Sequence, residues 1–168
     1  MKEEEKARAE QKVQLLQFVK KIPIFSDLSM YKAKLILSFC SKRVLQKGEI
    51  LCHQGCKSGS MFILLSGKLG VLIKGSGNVA TINPVSSIGE MGIFTGEMRT
   101  ATVKALENSF LLELNKSDIE RLIEKDSHFG LNIMKKVIHI LSERISSDNV
   151  KISKYQNYAI SRENSKYQ

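Results

Sequence analysis

Gly89-Glu90-Met91-Gly92-Ile93-Phe94-Thr95-Gly96-Glu97-Met98-Arg99-Thr100-Ala101-Thr102-Val103 places two glycines, an acid and an arginine around one short apolar turn, then runs into a β-type segment. Gly89 and Gly92 carry no Cβ, so backbone there can come close to a ligand. Met91 to Phe94 can form one helical turn whose first N–H groups have no internal partner, and aligned donors of that kind suit an anion. Arg99 adds a full charge and a planar fork matched to two phosphate oxygens. Thr100 and Ala101 keep the chain small beside it. Glu90 is an acceptor and is wrong for a phosphate, but it suits a sugar hydroxyl. The stretch therefore predicts a site for a compact sugar phosphate. The competing reading is a plain glycine turn in which Arg99 pairs with Glu97 or Glu107.

Outward from this stretch the chain changes period twice. Residues 3–21 are helix formers with Val13, Leu16 and Val19 three apart, which predicts a surface helix with one apolar stripe ended by Pro23. A second short helix is expected from Tyr31 to Phe39 with Ser29 as its N-cap. From Arg43 onward short β-type runs alternate with glycine: Glu49 to His53, Met61 to Leu65, Leu69 to Lys74, Val79 to Ile82, Ala101 to Leu106 and Ser109 to Asn115. Their spacing fits a compact β sandwich or barrel. A helix opens at Ser117-Asp118-Ile119-Glu120, and a longer one follows Asp126-Ser127. The polar residues from Lys151 to Gln168 show no clear period and are expected to fray.

The same segments resemble the cyclic-nucleotide-binding domain family. Ile88 to Val103 is similar, without a gap, to that family's phosphate-binding cassette. Gly48, Gly55 and Gly67 fall where the family turns between strands, and Ile22 to Ser29 resembles the segment that leads into its β-roll. The resemblance covers about residues 18–150. It implies an antiparallel, jelly-roll-like β-roll of about eight strands, mainly β, with N-terminal helices and a long C-terminal helix. The expected organisation is an N-terminal helical segment (1–24), the β-roll (25–127), and a C-terminal helix with tail (128–168). The resemblance further implies cAMP or cGMP as ligand. Glu90 would accept the ribose 2′-hydroxyl, and Arg99 and the N–H groups of Met91 and Gly92 would hold the cyclic phosphate. Thr100 would place a hydroxyl near phosphate and base, and Val71 would pack on base or ribose. The binding set is thus Gly89, Glu90, Met91, Gly92, Arg99, Thr100, Ala101 and Val71. Val85, Cys56 and Ile88 depart from the family's usual residues without removing a ligand-contacting group.

Composition narrows the alternatives. The 168 residues suffice for one domain with a sizeable core, and 42% hydrophobic with 26% charged residues is ordinary for a globular protein. No apolar run nears the roughly 18 residues that span a bilayer. The charged N-terminus is unlike a signal peptide, and three cysteines suit a reducing interior, so a cytoplasmic setting without membrane association is expected. The net charge of +9 is scattered without interleaved aromatics, which predicts a solvated basic surface; docking to an acidic partner is the alternative, and nucleic-acid binding is disfavoured. In the family's transcription factors the last helix leads into a winged helix-turn-helix; too few residues follow Ile145 for one, so a sensor without base readout is expected.

Other motifs point nowhere. Gly75-Ser76-Gly77-Asn78-Val79-Ala80 matches a dinucleotide pattern, but β-type residues follow it instead of a helix, so a hairpin is predicted. Cys40, Cys52 and Cys56 have weak spacing for a metal centre, and no metal is expected. No nucleophile, base or carboxylate pair forms a catalytic set, so the chain is not expected to be an enzyme. Met134, Ile138, Leu141 and Ile145 form a heptad-like seam on the last helix. The seam can pack on the protein's own roll, pair with a second copy, or close over nucleotide. The overall expectation is a signalling sensor that passes occupancy through this helix to a protein partner or a second copy; the alternative is a ligand-free structural or dimerisation module.

Overall fold

The computed structural model describes residues 2–164, and their side chains except at 2–9, 11, 12, 144, 155 and 157–164. Helix α1 (Lys2–Lys21) stops before Pro23, which opens a 3-10 turn at Pro23–Phe25. Proline fits a first helical position, where its missing N–H costs nothing, but not an interior one. Helix α2 (Met30–Phe39) starts at Ser29, whose hydroxyl accepts from the Lys32 N–H at 3.3 Å.

The strands among the described residues are β1 (Ser41–Leu45), β2 (Ile50–Cys52), β3 (Ser60–Ser66), β4 (Leu69–Ile73), β5 (Gly77–Ile82), β6 (Ser86–Ile88), β7 (Thr102–Ala105) and β8 (Ser109–Asn115). A short helix, α3 (Glu90–Thr95), lies between β6 and β7, and α4 (Lys116–Lys125) and α5 (Ser127–Asn164) follow β8. The strands form two antiparallel four-stranded sheets, ordered β1-β8-β3-β6 and β2-β7-β4-β5, which face each other as a β-roll.

Strand β3 shows how sequence sets the packing. Successive side chains in a strand point to opposite faces. Phe62 and Leu64 enter the core between the sheets with Leu69, Ile88, Val103 and Leu111. Met61, Ile63 and Leu65 join a second core with Val19, Ile36, Leu122 and Ile133 under the helices. Both faces are covered, so the strand is an unbroken apolar run with no polar alternation. Each large side chain buried this way contributes about 1.5–3 kcal/mol.

Helix α5 is fastened at its base. Asp126 accepts from the Phe129 N–H at 2.8 Å and pairs with Lys32 of α2 at 2.7 Å. Lys136 pairs with Asp27, just beyond the 3-10 turn, at 2.7 Å. Phe129, Ile133, Val137 and Ile140 are buried against the helical core.

Several expectations change. Val13 is exposed, and α1 is held instead by Leu16 and Val19, with Leu15 and Phe18 half-buried beside them. Strands β1 and β6 were not foreseen among the β-type runs. The polar stretch from Lys151 continues α5 to Asn164, with a Lys151–Asp148 pair at 2.7 Å, and residues 165–168 lie outside the described residues. Gly75 and Gly77 do turn β4 back into β5, with Ile73 opposite Gly77, so that glycine pair belongs to a hairpin. No helix among the described residues is long and apolar enough to cross a membrane.

Candidate functional site

Strand β6 delivers the chain to the cassette by pairing Ile88 with Phe62 of β3. Gly89 then turns with φ +79°, a left-handed conformation that a side chain rarely adopts. Sterics make the same demand, because a Cβ on Gly89 would collide with Nη1 of Arg99. Glu90, only 3% exposed, opens α3. Gly96 ends the helix, its N–H donating to the Gly92 carbonyl at 3.1 Å.

Arg99 is 8% exposed, which is unusual for a charged side chain. Its backbone is clamped to the β2–β3 loop: Gly55 N–H donates to the Arg99 carbonyl and Arg99 N–H donates to the Cys56 carbonyl, both at 2.8 Å. Nη2 donates to the Ser60 carbonyl, and Cζ lies 5.6 Å from the centre of the Phe62 ring, within cation–π range. Nε and Nη1 are buried without a hydrogen-bond partner. Each buried donor left in that state costs about 1–3 kcal/mol, more when charged. An anion placed over Gly89 would meet two free donors on a buried cation.

The structure thus brings together Gly89, Glu90, Gly92 and Arg99. Met91 is exposed on the same turn, and Thr100 (exposed) and Ala101 (half-buried) follow the arginine. Val71, half-buried on β4, stands opposite Val103 of β7, two residues beyond Ala101. Arg99 does not depend on Glu107, which pairs with Lys68 at 2.9 Å. Sequence reasoning missed Ser58, Ser60 and Phe62, which come to the site from the β2–β3 loop and from β3, the strand paired with β6. The one local sign was the small polar stretch just before the apolar run of β3.

Ile93 of α3 is buried in the helical core that also holds Val137 and Ile140 of α5. The cassette and the long helix therefore share one packed cluster. The heptad seam is not what packs there. Ile138 is 63% and Ile145 62% exposed, Met134 is exposed, and only Leu141 is half-buried. Leu131 and Ile152, each seven residues further out, are exposed as well.

The three cysteines are free thiols, Cys40 and Cys52 half-buried and Cys56 exposed. Burial pushes the Cys40 thiol up to about 12, aided by the nearby Asp118 charge. Burial also raises Cys52, against the opposing pull of Arg99. Among the described residues no group of three or more His, Cys, Asp or Glu side chains could hold a metal ion. A groove of about 370 Å³ lies between the 3-10 turn and α5, beside Asp27, Lys136 and His139, away from the cassette.

The sequence profile of the cyclic nucleotide-binding domain matches residues 42–126. A cAMP-dependent protein kinase regulatory subunit of Yarrowia lipolytica is 30% identical over 107 residues, covering 63% of this chain and 28% of that protein. A cyclic nucleotide-gated potassium channel of Mesorhizobium japonicum is 32% identical over 111 residues, covering 63% of this chain and 29% of the channel. The chain thus spans less than a third of either relative. In fold it resembles a cyclic nucleotide-binding domain of Methylobacillus flagellatus, with a TM-score of 0.70 and 20% identity over 82% of this chain and 80% of that one. The cassette, the paired sheets and this match place the chain in the cyclic nucleotide-binding domain family.

Proposed function

We propose that this domain binds cAMP, with cGMP as the second candidate, and passes occupancy through α5 to a protein partner. The carrying observation is Arg99: a buried guanidinium lying against Gly89 with Nε and Nη1 unmatched. In this reading Arg99 and the N–H groups of Met91 and Gly92 hold the cyclic phosphate, and Glu90 accepts the ribose 2′-hydroxyl. Thr100 lies near phosphate and base, and Ala101 and Val71 wall the pocket. Capture of the phosphate orders α3, Ile93 or Phe94 repacks, and the shared cluster moves α5. Ligand drives that shift only as far as it favours one state over the other.

Calorimetry with cAMP and cGMP tests the reading. Hydrogen bonds to a charged group contribute about 1.5–3 kcal/mol each, so Arg99→Ala should weaken binding by about tenfold to a hundredfold or more. Unchanged affinity would remove Arg99 from the site. A thermal-shift series with cAMP, cGMP and linear AMP separates this reading from a ligand-free module, which none of them would stabilise.

The exposed seam favours a second copy of the chain as the partner. Leu131, Ile138, Ile145 and Ile152 recur every seven residues, with Met134 and Leu141 between them. β-branched residues at the first core position of a heptad suit a parallel two-stranded coiled coil.

A further inference from the structure

We propose that Ser58 is a further ligand-binding residue, its hydroxyl donating to an oxygen of the phosphate that Arg99 holds; this rests on the nucleotide-binding reading above. Arg99 brackets the β2–β3 loop, through its backbone at Gly55 and Cys56 and through its guanidinium at Ser60, the first residue of β3. Ser58 lies midway between them. It is 9% exposed, and its Oγ is buried without a hydrogen-bond partner. Other serines of the chain behave differently: Ser26, Ser38 and Ser142 donate to nearby carbonyls although they are exposed or partly so, and the buried Ser109 donates to Glu107 O at 2.7 Å. A hydroxyl removed from water and left unmatched disfavours the fold unless something completes it.

Its surroundings indicate what completes it. A Cβ on Gly92 would collide with both Cβ and Oγ of Ser58, so the serine fills the space over that residue. Three residues earlier, the same space over Gly89 is filled by Nη1 of Arg99. Gly89 caps α3 and Gly92 lies in its first turn. Three unmatched donor groups therefore gather over one turn: Nε and Nη1 of Arg99 and Oγ of Ser58. Two belong to a cation, so the acceptor they share is an oxyanion, and a cyclic phosphate offers two oxygens outside its ring. Gly92 is the consequence on the other side of the contact, since any side chain there would evict the serine.

The test titrates wild type and Ser58→Ala with cAMP and with its two phosphorothioate diastereomers, in each of which sulfur replaces one exocyclic oxygen, and melts both proteins without ligand. The variant should bind cAMP about tenfold more weakly, as expected for a hydrogen bond to a charged acceptor. That penalty should shrink for one diastereomer only, because sulfur accepts poorly where the hydroxyl points. Without ligand the variant should melt no lower than wild type, because it loses an unmatched group. Equal affinities would overturn the proposal. So would an equal penalty for all three ligands with a lowered ligand-free melting point, the signature of packing alone. If wild type bound none of the three, the nucleotide reading itself would fall, and this proposal with it.

Discussion

In the cassette, Nε and Nη1 of Arg99 are buried without hydrogen-bond partners; along one face of α5, apolar side chains stand in water without cover. Both regions are incomplete in the isolated chain, but what would complete them differs in size and chemistry. Over Gly89 and Gly92 the free donors gather on one turn and call for a small oxyanion. On α5 the exposed repeat runs from Leu131 to Ile152, about 30 Å at 1.5 Å per residue. Only a macromolecular surface matches that length. Ile93 of the cassette belongs to the same core as Val137 and Ile140 of α5. In the proposed function, filling the first gap alters how the second is presented through this core.

The most damaging way to break this comparison is to close the polar gap from within. Gly89→Ala forces a side chain into a left-handed position and drives its Cβ into the Arg99 guanidinium. Cyclic nucleotide affinity should fall about a hundredfold, as deeply as in Arg99→Ala, while circular dichroism still reports the roll. A variant that titrates like wild type would mean that the guanidinium does not occupy the binding position.

Closing the apolar gap should act on assembly and leave the pocket alone. Ile138→Asp combined with Ile145→Asp removes two side chains that would each contribute about 1.5–3 kcal/mol if covered by a second helix. Sedimentation equilibrium should show wild type as a dimer and the variant as a monomer, its self-association weakened about a hundredfold or more. The melting temperature of the monomer should barely move, because both side chains are mostly exposed and neither belongs to the buried core. A monomeric wild type would reassign the seam to some other partner.

The unequal legibility of these regions in the sequence has a physical origin. The cassette was readable because Gly89, Glu90, Gly92 and Arg99 lie within eleven consecutive residues and act through local backbone. Its outer wall was not, because Ser58 of the β2–β3 loop and Ser60 at the start of β3 meet Arg99 only when the roll closes. Most strands announced themselves as apolar runs between glycines. Strand β1 did not, since four of its five residues are exposed and Leu45 alone is buried. Strand β6 is three residues long and two of them are serines. On α5 the two apolar stripes, Ile133-Val137-Ile140 and Met134-Ile138-Leu141, are offset by one residue. Periodicity finds both, but only the packed structure tells which is covered.

A finer probe sharpens the polar side of the contrast. Thr100 is exposed beside Arg99, and its hydroxyl can accept from the 2-amino group of a guanine but gains nothing from adenine. Thr100→Ala should lower cGMP affinity by about two- to tenfold, the range of one neutral hydrogen bond, and leave cAMP nearly unchanged. Parallel titrations of both nucleotides decide it. An unaltered ratio between them clears Thr100 of any part in base choice.

The smallest effect concerns the base of α5, where the two regions are joined to the rest of the protein. The hydrogen bond from Lys136 holds Asp27 below the usual carboxylate range, and that from Lys32 does the same for Asp126. A carboxyl with a lowered folded pKa stabilises the fold above its unfolded pKa, about 3.9, and loses that contribution as pH falls through the folded value. Both groups lie at the surface, where water and salt weaken such pairs. Asp27→Asn with Asp126→Asn should therefore lower the melting temperature by only about 1–3 °C at pH 7. Asparagine can still accept from the Phe129 N–H, so the helix cap survives and charge alone is removed. The gap between variant and wild type should persist at pH 5, narrow below about pH 4 and close near pH 2. A gap that stayed constant across that range would show that these side chains hold α5 by shape and not by charge.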